Sequence, residues 1–215
     1  MNTKVCGITS LKQLQQLDGL EVDFAGLIFY KSSPRYVGNK LTKEELAGID
    51  LDIKKVGVFV NEERDEIMRI VEEYDLDVVQ LHGQESPHFC EKISGEIEVI
   101  KAFSVNDTSN KSVDDMIADY DEVCDYYLFD SASKGLAGGT GKKFDWKRIA
   151  DSKIEKPFFL SGGIEPNDAT IIKKFKHPDF YGVDINSRFE KEPGVKDMGQ
   201  ILQFLHSLKK GKREG

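Results

Sequence analysis

The chain has 215 residues, a length that suits one large domain, since α/β barrels commonly reach ~200–250 residues as a single unit. Its net charge of −8 argues against general nucleic-acid binding and against attachment to an acidic membrane surface. Three cysteines, Cys6, Cys90 and Cys124, stand far apart with no CxxC and no Cys/His cluster, which argues against a disulfide framework or a zinc site and fits a reducing cytosol.

Residues 1–16 lack the continuous apolar core of a signal peptide, and no run approaches the ~18 apolar residues of a membrane span. Short β-rich runs then recur at 4–8, 24–29, 55–60, 78–81, 99–103, 126–130, 158–161 and 181–185. Segments with helical spacing lie between them. Ile67, Ile70 and Val71 stand at i, i+3, i+4, and Ile201, Leu205 and Leu208 at i, i+4, i+7. Asn61, Ser86 and Asn167 occupy places expected of helix N-caps. Run starts about 20 to 30 residues apart match βα units, and strands apolar on both faces belong to a parallel sheet covered by helices. The pattern predicts a single-domain α/β fold, a (β/α)8 TIM barrel over 1–208; the alternative is an open doubly wound sheet, which uses fewer strands at this length. Residues 209–215 read as a frayed basic tail rather than a nucleic-acid patch.

In a barrel, functional groups collect at the strand C-termini. There the chain carries Cys6-Gly7, Tyr30 to Tyr36 with Arg35, Asn61, His82-Gly83, Asp130, Ser161-Gly162-Gly163 and Asp184-Ile185-Asn186-Ser187. Asp130 ends an apolar run and precedes a loop with glycines at 135, 138, 139 and 141. An acid beneath a glycine loop suits catalysis; the plainer reading is a turn whose Asp caps the next helix. Gly162 and Gly163, with Asn186 and Ser187, end the last two runs, where barrels hold a phosphate on backbone N–H groups; the plainer reading is a tight turn. No GxxxxGK[ST] is present, so a nucleotide P-loop is not indicated.

Cys6 is either an inert buried thiol or a base, for which it must become a thiolate. With Asp130 as acid across the same mouth, it could move protons between a carbon and a sugar oxygen without metal or cofactor. Arg35 is either a surface arginine or a fork for a carboxylate or phosphate. His82 has no second histidine at ligand spacing, which argues against a metal site.

Taken together, Lys4-Val5-Cys6-Gly7-Ile8-Thr9, Ser33-Pro34-Arg35-Tyr36-Val37, Val56-Gly57-Val58-Phe59-Val60-Asn61 and Gln80-Leu81-His82-Gly83 form one set of motifs. With them go Asp130, Gly138-Gly139-Thr140-Gly141, Phe144-Asp145-Trp146, Gly162-Gly163 with Pro166-Asn167, and Pro193-Gly194-Val195-Lys196-Asp197. In this order the chain resembles the phosphoribosylanthranilate isomerases of tryptophan biosynthesis. The resemblance implies a (β/α)8 barrel that performs an Amadori rearrangement without cofactor or metal. N-(5-phosphoribosyl)anthranilate would become 1-(2-carboxyphenylamino)-1-deoxyribulose 5-phosphate, the third committed stage from chorismate to L-tryptophan. By position it makes Asp130 the general acid that opens the furanose ring and Cys6 the general base at C2. Arg35 would hold the anthranilate carboxylate, and Gly162, Gly163, Asn186 and Ser187 the phosphate. Asp184 would orient Cys6 or a sugar hydroxyl, His82 would line the pocket, and the 138–141 loop would close over the substrate. The family usually reads Asp-Val-Ser-Ser-Gly-Val-Glu where this chain has Asp184-Ile185-Asn186-Ser187-Arg188-Phe189-Glu190, so Arg188 replaces a glycine.

Such chemistry asks for Asp130 raised above its ordinary ~3.9 and for Cys6 deprotonated more readily than the ordinary ~8.5. Two other phosphate-binding barrels stay open on the residues alone. An indole-glycerol-phosphate synthase would need a lysine acid, and a sugar-phosphate epimerase would need metal-ligand His and Asp pairs. A non-catalytic phosphate-ligand sensor is the third alternative. The expected partner is a small phosphorylated substrate, with no nucleic acid and no membrane, for a cytoplasmic monomer or weak homodimer.

Overall fold

A computed structural model describes residues 1–46, 49–105, 111–131 and 146–209. Eight parallel strands follow one another around a closed ring: β1 (Asn2–Cys6), β2 (Phe24–Ile28), β3 (Lys54–Phe59), β4 (Val78–Leu81), β5 (Glu98–Val105), β6 (Tyr126–Ser131), β7 (Phe158–Leu160) and β8 (Phe180–Ile185). β8 pairs back onto β1, with Lys4 opposite Asp184, so no edge is left and the open-sheet alternative falls. The helices are α1 (Leu11–Asp18), α2 (Lys43–Leu46), α3 (Arg64–Tyr74), α4 (Pro87–Ser94), α5 (Val113–Ile117), α6 (Lys147–Ala150), α7 (Ala169–Lys174) and α8 (Met198–Lys209). None of the described helices is long and apolar enough to cross a membrane.

Inside the ring, Phe24, Val56, Val78, Ile100, Leu128 and Phe159 form a buried apolar layer, with Tyr126 and Tyr181 packed on it. A second, larger core fills the space between strands and helices. Ile67 and Ile70 of α3 and Ile201 and Leu205 of α8 are buried in it, the result of their helical spacing.

The local signals differ in how they are used. Ser86 caps α4, accepting from the Phe89 N–H, and Pro87 suits the first turn. Asn61 caps nothing. It takes the left-handed conformation at φ 49°, donates its N–H to Glu85 and accepts from Gln84 N–H, while α3 begins after Glu63 with no side-chain cap. Asn167 lies inside a single 3₁₀ turn, Pro166–Asp168, where Asp168 accepts from Glu165 N–H. The first strand starts and stops two residues earlier than 4–8, because Gly7 at φ 81° turns the chain out of the sheet. An unexpected antiparallel hairpin, β9 (Glu190–Glu192) with β10 (Val195–Lys196), follows β8, turning at Gly194. α8 runs through Lys209, one residue past the expected end of the barrel unit; residues 210–215 lie outside the described residues.

Candidate active site

Side chains alternate along a strand, so the residue two places beyond an inward one also points inward, nearer the C-terminal mouth. Two places beyond Phe24, Val56, Leu128 and Phe159 come Gly26, Val58, Asp130 and Ser161. On β1 the same alternation sets Cys6 above Lys4. The result is a cleft, partly open to solvent, at the strand C-termini. Among the site residues expected from sequence, Cys6, His82, Asp130, Gly162, Gly163, Asp184, Asn186 and Ser187 line it. β1 and β6 are separated by β7 and β8 on one side and by β2 to β5 on the other, so Cys6 and Asp130 approach the cleft from across the ring.

Cys6 is buried against bare backbone. A Cβ on Gly26 would lie 2.8 Å from its sulfur, so only glycine leaves it room. Lys4 is wholly buried; its Nζ donates to Asp184 Oδ1 at 2.9 Å, and it lies two residues before Cys6 on the same face of β1. Ser161 Oγ donates to the other Asp184 oxygen at 3.3 Å. Burial pushes the lysine down, but the Asp184 carboxylate and then Cys6 outweigh it, so Lys4 is held above the ordinary lysine value and carries its charge. The thiol is pushed up, chiefly by burial and also by Asp184, against the pull of Lys4, Lys196 and Arg35. The sulfur therefore holds its proton more firmly than in water, opposite to the sequence expectation, because desolvation of a thiolate outweighs the cations that face it.

Asp130 is buried, with His82 Nε2 at 3.4 Å from Oδ2. Gln80 Nε2 lies 2.7 Å from His82 Nδ1, which holds the ring with Nε2 toward Asp130. Gly162 at φ 85° and Gly163 at φ 67° carry the chain over this acid. A Cβ on Gly162 would collide with Ser131 and lie 2.7 Å from Asp130 Oδ1. Both the left-handed backbone and the close approach thus require glycine there.

Arg35 does not line the cleft. It lies beside Gly7, where a Cβ would come 2.7 Å from its Cδ. Its Nε and Nη2 grip Glu190, with contacts at 2.9, 3.0 and 2.6 Å. Lys196 Nζ donates to the same carboxylate at 2.7 Å and to Asn186 Oδ1 at 2.8 Å. One carboxylate thus serves two cations. Burial pushes Glu190 up, but Arg35 and Lys196 outweigh it and hold it below the ordinary carboxylate range. Lys196 is held below the ordinary lysine value, first by burial and also by the Arg35 charge, with Glu190 opposing. Arg188, in the place of the family's glycine, lines the cleft with Nε 3.7 Å from Glu165.

Lys4, Gly26, Glu190 and Lys196 were not foreseen as site residues. The signal for Lys4 was a charged residue alternating with Cys6 in an otherwise apolar strand. Asp184 hydrogen-bonds to Lys4 and Ser161, and it bears on Cys6 both through the lysine and by its own charge. Among the described residues, no group of three or more His, Cys, Asp or Glu side chains is placed to hold a metal ion.

The model of the N-(5'phosphoribosyl)anthranilate (PRA) isomerase family matches residues 3–207. The chain belongs to this family. An N-(5'-phosphoribosyl)anthranilate isomerase of Parabacteroides distasonis is 39% identical over 210 residues, covering 97% of this chain and 93% of the relative. The crystal structure of phosphoribosyl anthranilate isomerase from Thermotoga maritima has a TM-score of 0.81 at 32% identity, over 98% of this chain and 99% of the other. A phosphoribosyl anthranilate isomerase in complex with reduced 1-(o-carboxyphenylamino)-1-deoxyribulose 5-phosphate has a TM-score of 0.78 at 30% identity, with the same coverage. The PRA isomerase barrel and its reaction class therefore apply to nearly the whole described chain, and the epimerase, synthase and sensor alternatives fall away.

Proposed function

We propose that this barrel converts N-(5-phosphoribosyl)anthranilate into 1-(2-carboxyphenylamino)-1-deoxyribulose 5-phosphate, a step of tryptophan biosynthesis, with Asp130 as general acid and Cys6 as general base. Family membership carries the isomerase activity. One observation carries the residue roles: Cys6 and Asp130, from strands on different sides of the ring, line one cleft at the strand C-termini.

Asp130 gives a proton to the furanose ring oxygen. The C1–O bond breaks as the anilino nitrogen lone pair forms the C1=N Schiff base. Cys6, as thiolate, takes the C2 proton; the C–H electron pair becomes C1=C2, and the C=N π pair returns to nitrogen. The enol-amine then loses its C2 hydroxyl proton and gains one at C1, giving the ketone. Atoms balance within the substrate, so no co-reactant is needed. A bound ring that lies between these two groups converts a bimolecular proton transfer into one within a single complex.

The substrate phosphate is assigned to the backbone around Gly162, Gly163, Asn186 and Ser187, where two left-handed glycines allow close approach. The anthranilate carboxylate is assigned to Arg35, whose Nε and Nη2 are held by Glu190 beside Gly7. His82 lines the pocket beside Asp130, and Asp184 serves by holding Lys4. Lys101, on β5, is committed to Glu85 and to the Leu81 and Gly83 carbonyls. The glycine loop 138–141, expected to close over the substrate, lies outside the described residues. The barrel is read as a cytoplasmic monomer or weak homodimer; a Thermotoga maritima relative is described as dimeric.

Cys6→Ser and Asp130→Ala are each expected to lower kcat by about 10²–10⁴-fold, the usual contribution of a placed acid or base, while a reduced product analogue still binds in calorimetry. Near-normal turnover by folded Cys6→Ala would remove the thiol from the reaction.

A further inference from the structure

Four charged side chains face the Cys6 sulfur. Lys4 comes from β1 itself, Asp184 from β8, Lys196 from β10 and Arg35 from the segment after β2. Glu190 stands behind the last two and holds both. Three cations against two carboxylates leave one positive charge in the cluster, so a thiolate at Cys6 would make it neutral. The cations are not equivalent. Arg35 and Lys196 are both hydrogen-bonded to one carboxylate, Glu190. Lys4 is fully buried, lies on the same strand face two residues before the buried Cys6, and has its ammonium anchored on Asp184 at 2.9 Å.

We propose that Lys4 is the positioning residue for the base: its ammonium, anchored by Asp184, donates to the Cys6 sulfur and supplies the counter-charge of the thiolate. The inference rests on Cys6 acting as base, and it assigns to Lys4 what sequence had assigned to Asp184. The carboxylate acts on the sulfur in two opposed ways. It keeps Lys4 charged and in place, and its own negative charge disfavours the thiolate directly. The two members of the pair therefore pull the thiol in opposite directions, which a merely structural pair would not do.

The test is the rate of Cys6 alkylation by iodoacetamide as a function of pH, read by mass spectrometry at the Cys6 peptide of the full chain, since only the thiolate reacts. In Lys4→Gln the midpoint rises by at least about one pH unit, so the rate at pH 7 falls about tenfold or more while the high-pH plateau is kept. In Asp184→Asn the midpoint falls. Lys4→Arg keeps a cation and shifts less than Lys4→Gln. The acid limb of the kcat profile moves with the alkylation midpoint in each variant, whereas KM stays within a few-fold. An unmoved midpoint in folded Lys4→Gln overturns the proposal, as does a shift of the same sign in Lys4→Gln and Asp184→Asn. If Lys4→Gln does not fold, Asp184→Asn decides: a lowered midpoint supports the proposal, and an unchanged or raised one overturns it. Full activity in Cys6→Ala would sink the base assignment alone, because the alkylation midpoints report on Lys4 without turnover.

Discussion

Two lysine–carboxylate pairs point into this barrel, one at each end. Lys54 and Glu98 meet at 2.8 Å near the strand N-termini, with 44% and 42% of their side chains exposed. Lys4 and Asp184 meet at 2.9 Å under the C-terminal mouth, with 0% and 5% exposed. The distances are alike; the surroundings are not. Water screens the first pair and solvates either partner if the other is lost, so its worth is small. The second pair has already given up its hydration, and each charge depends on the other. A lysine–carboxylate distance therefore says little about a pair until its access to water is known, and only the dry pair can lend its field to a neighbouring sulfur.

The largest effect expected from breaking this contrast is in Asp184→Ala, which strands the Lys4 ammonium in the interior. Urea unfolding should show a loss of about 3–5 kcal/mol. Removing both charges at once sharpens the point. Lys4→Met combined with Asp184→Leu should recover most of that stability, since a packed apolar pair often matches a buried ion pair, yet the double variant should lose activity. A double variant no more stable than Asp184→Ala would show that desolvation is not the governing cost.

A second buried case is Glu190, whose side chain is 3% exposed and lies between two cations. Its folded value is held below the ordinary carboxylate range, burial notwithstanding, by Arg35 and Lys196. A lowered carboxylate stabilises the fold at pH above its unfolded value of about 4.3, and that share is lost as pH falls through the lower folded value. Glu190→Gln should therefore be less stable at pH 7, by about 1–3 kcal/mol for a lost charge-assisted contact, and should show a shallower decline below about pH 4. Equal acid sensitivity in the two proteins would refute this. The smallest effect is at the wet end: Glu98→Ala should cost under about 1 kcal/mol, and about 1 M salt should erase most of the difference.

What the sequence made legible follows the range of the forces involved. The β-rich runs and the spacing of Ile67, Ile70 and Val71 are local, and they led to the eight-stranded ring. Ser86 was readable because a serine before a proline-led helix has little else to do. Asn61 misled because asparagine also tolerates the left-handed backbone, and Glu85, 24 residues away, competes for its N–H. The β9–β10 hairpin was hidden because Glu190–Glu192 is a charged run without strand-forming residues. Cys6, Asp130 and the Gly162-Gly163 turn stood out as residue types at strand ends. Their neighbours did not: that Lys4 meets Asp184 depends on the register between β1 and β8, and that Arg35 meets Glu190 depends on the hairpin. The firm hold of Cys6 on its proton was equally out of reach, since desolvation is a property of the assembled interior.

The contacts around the mouth join the two extremes of the polypeptide. Lys4 and Asp184 are 180 residues apart, Arg35 and Glu190 155, Thr9 and Gly194 185, and Lys196 and Gln13 183. During synthesis, the first strand must therefore wait, with its lysine and thiol unmatched, until nearly the whole chain has left the ribosome. Catalytic competence arrives late and all together, and a nascent chain stopped before β8 is expected to have seven of the eight barrel strands and no turnover.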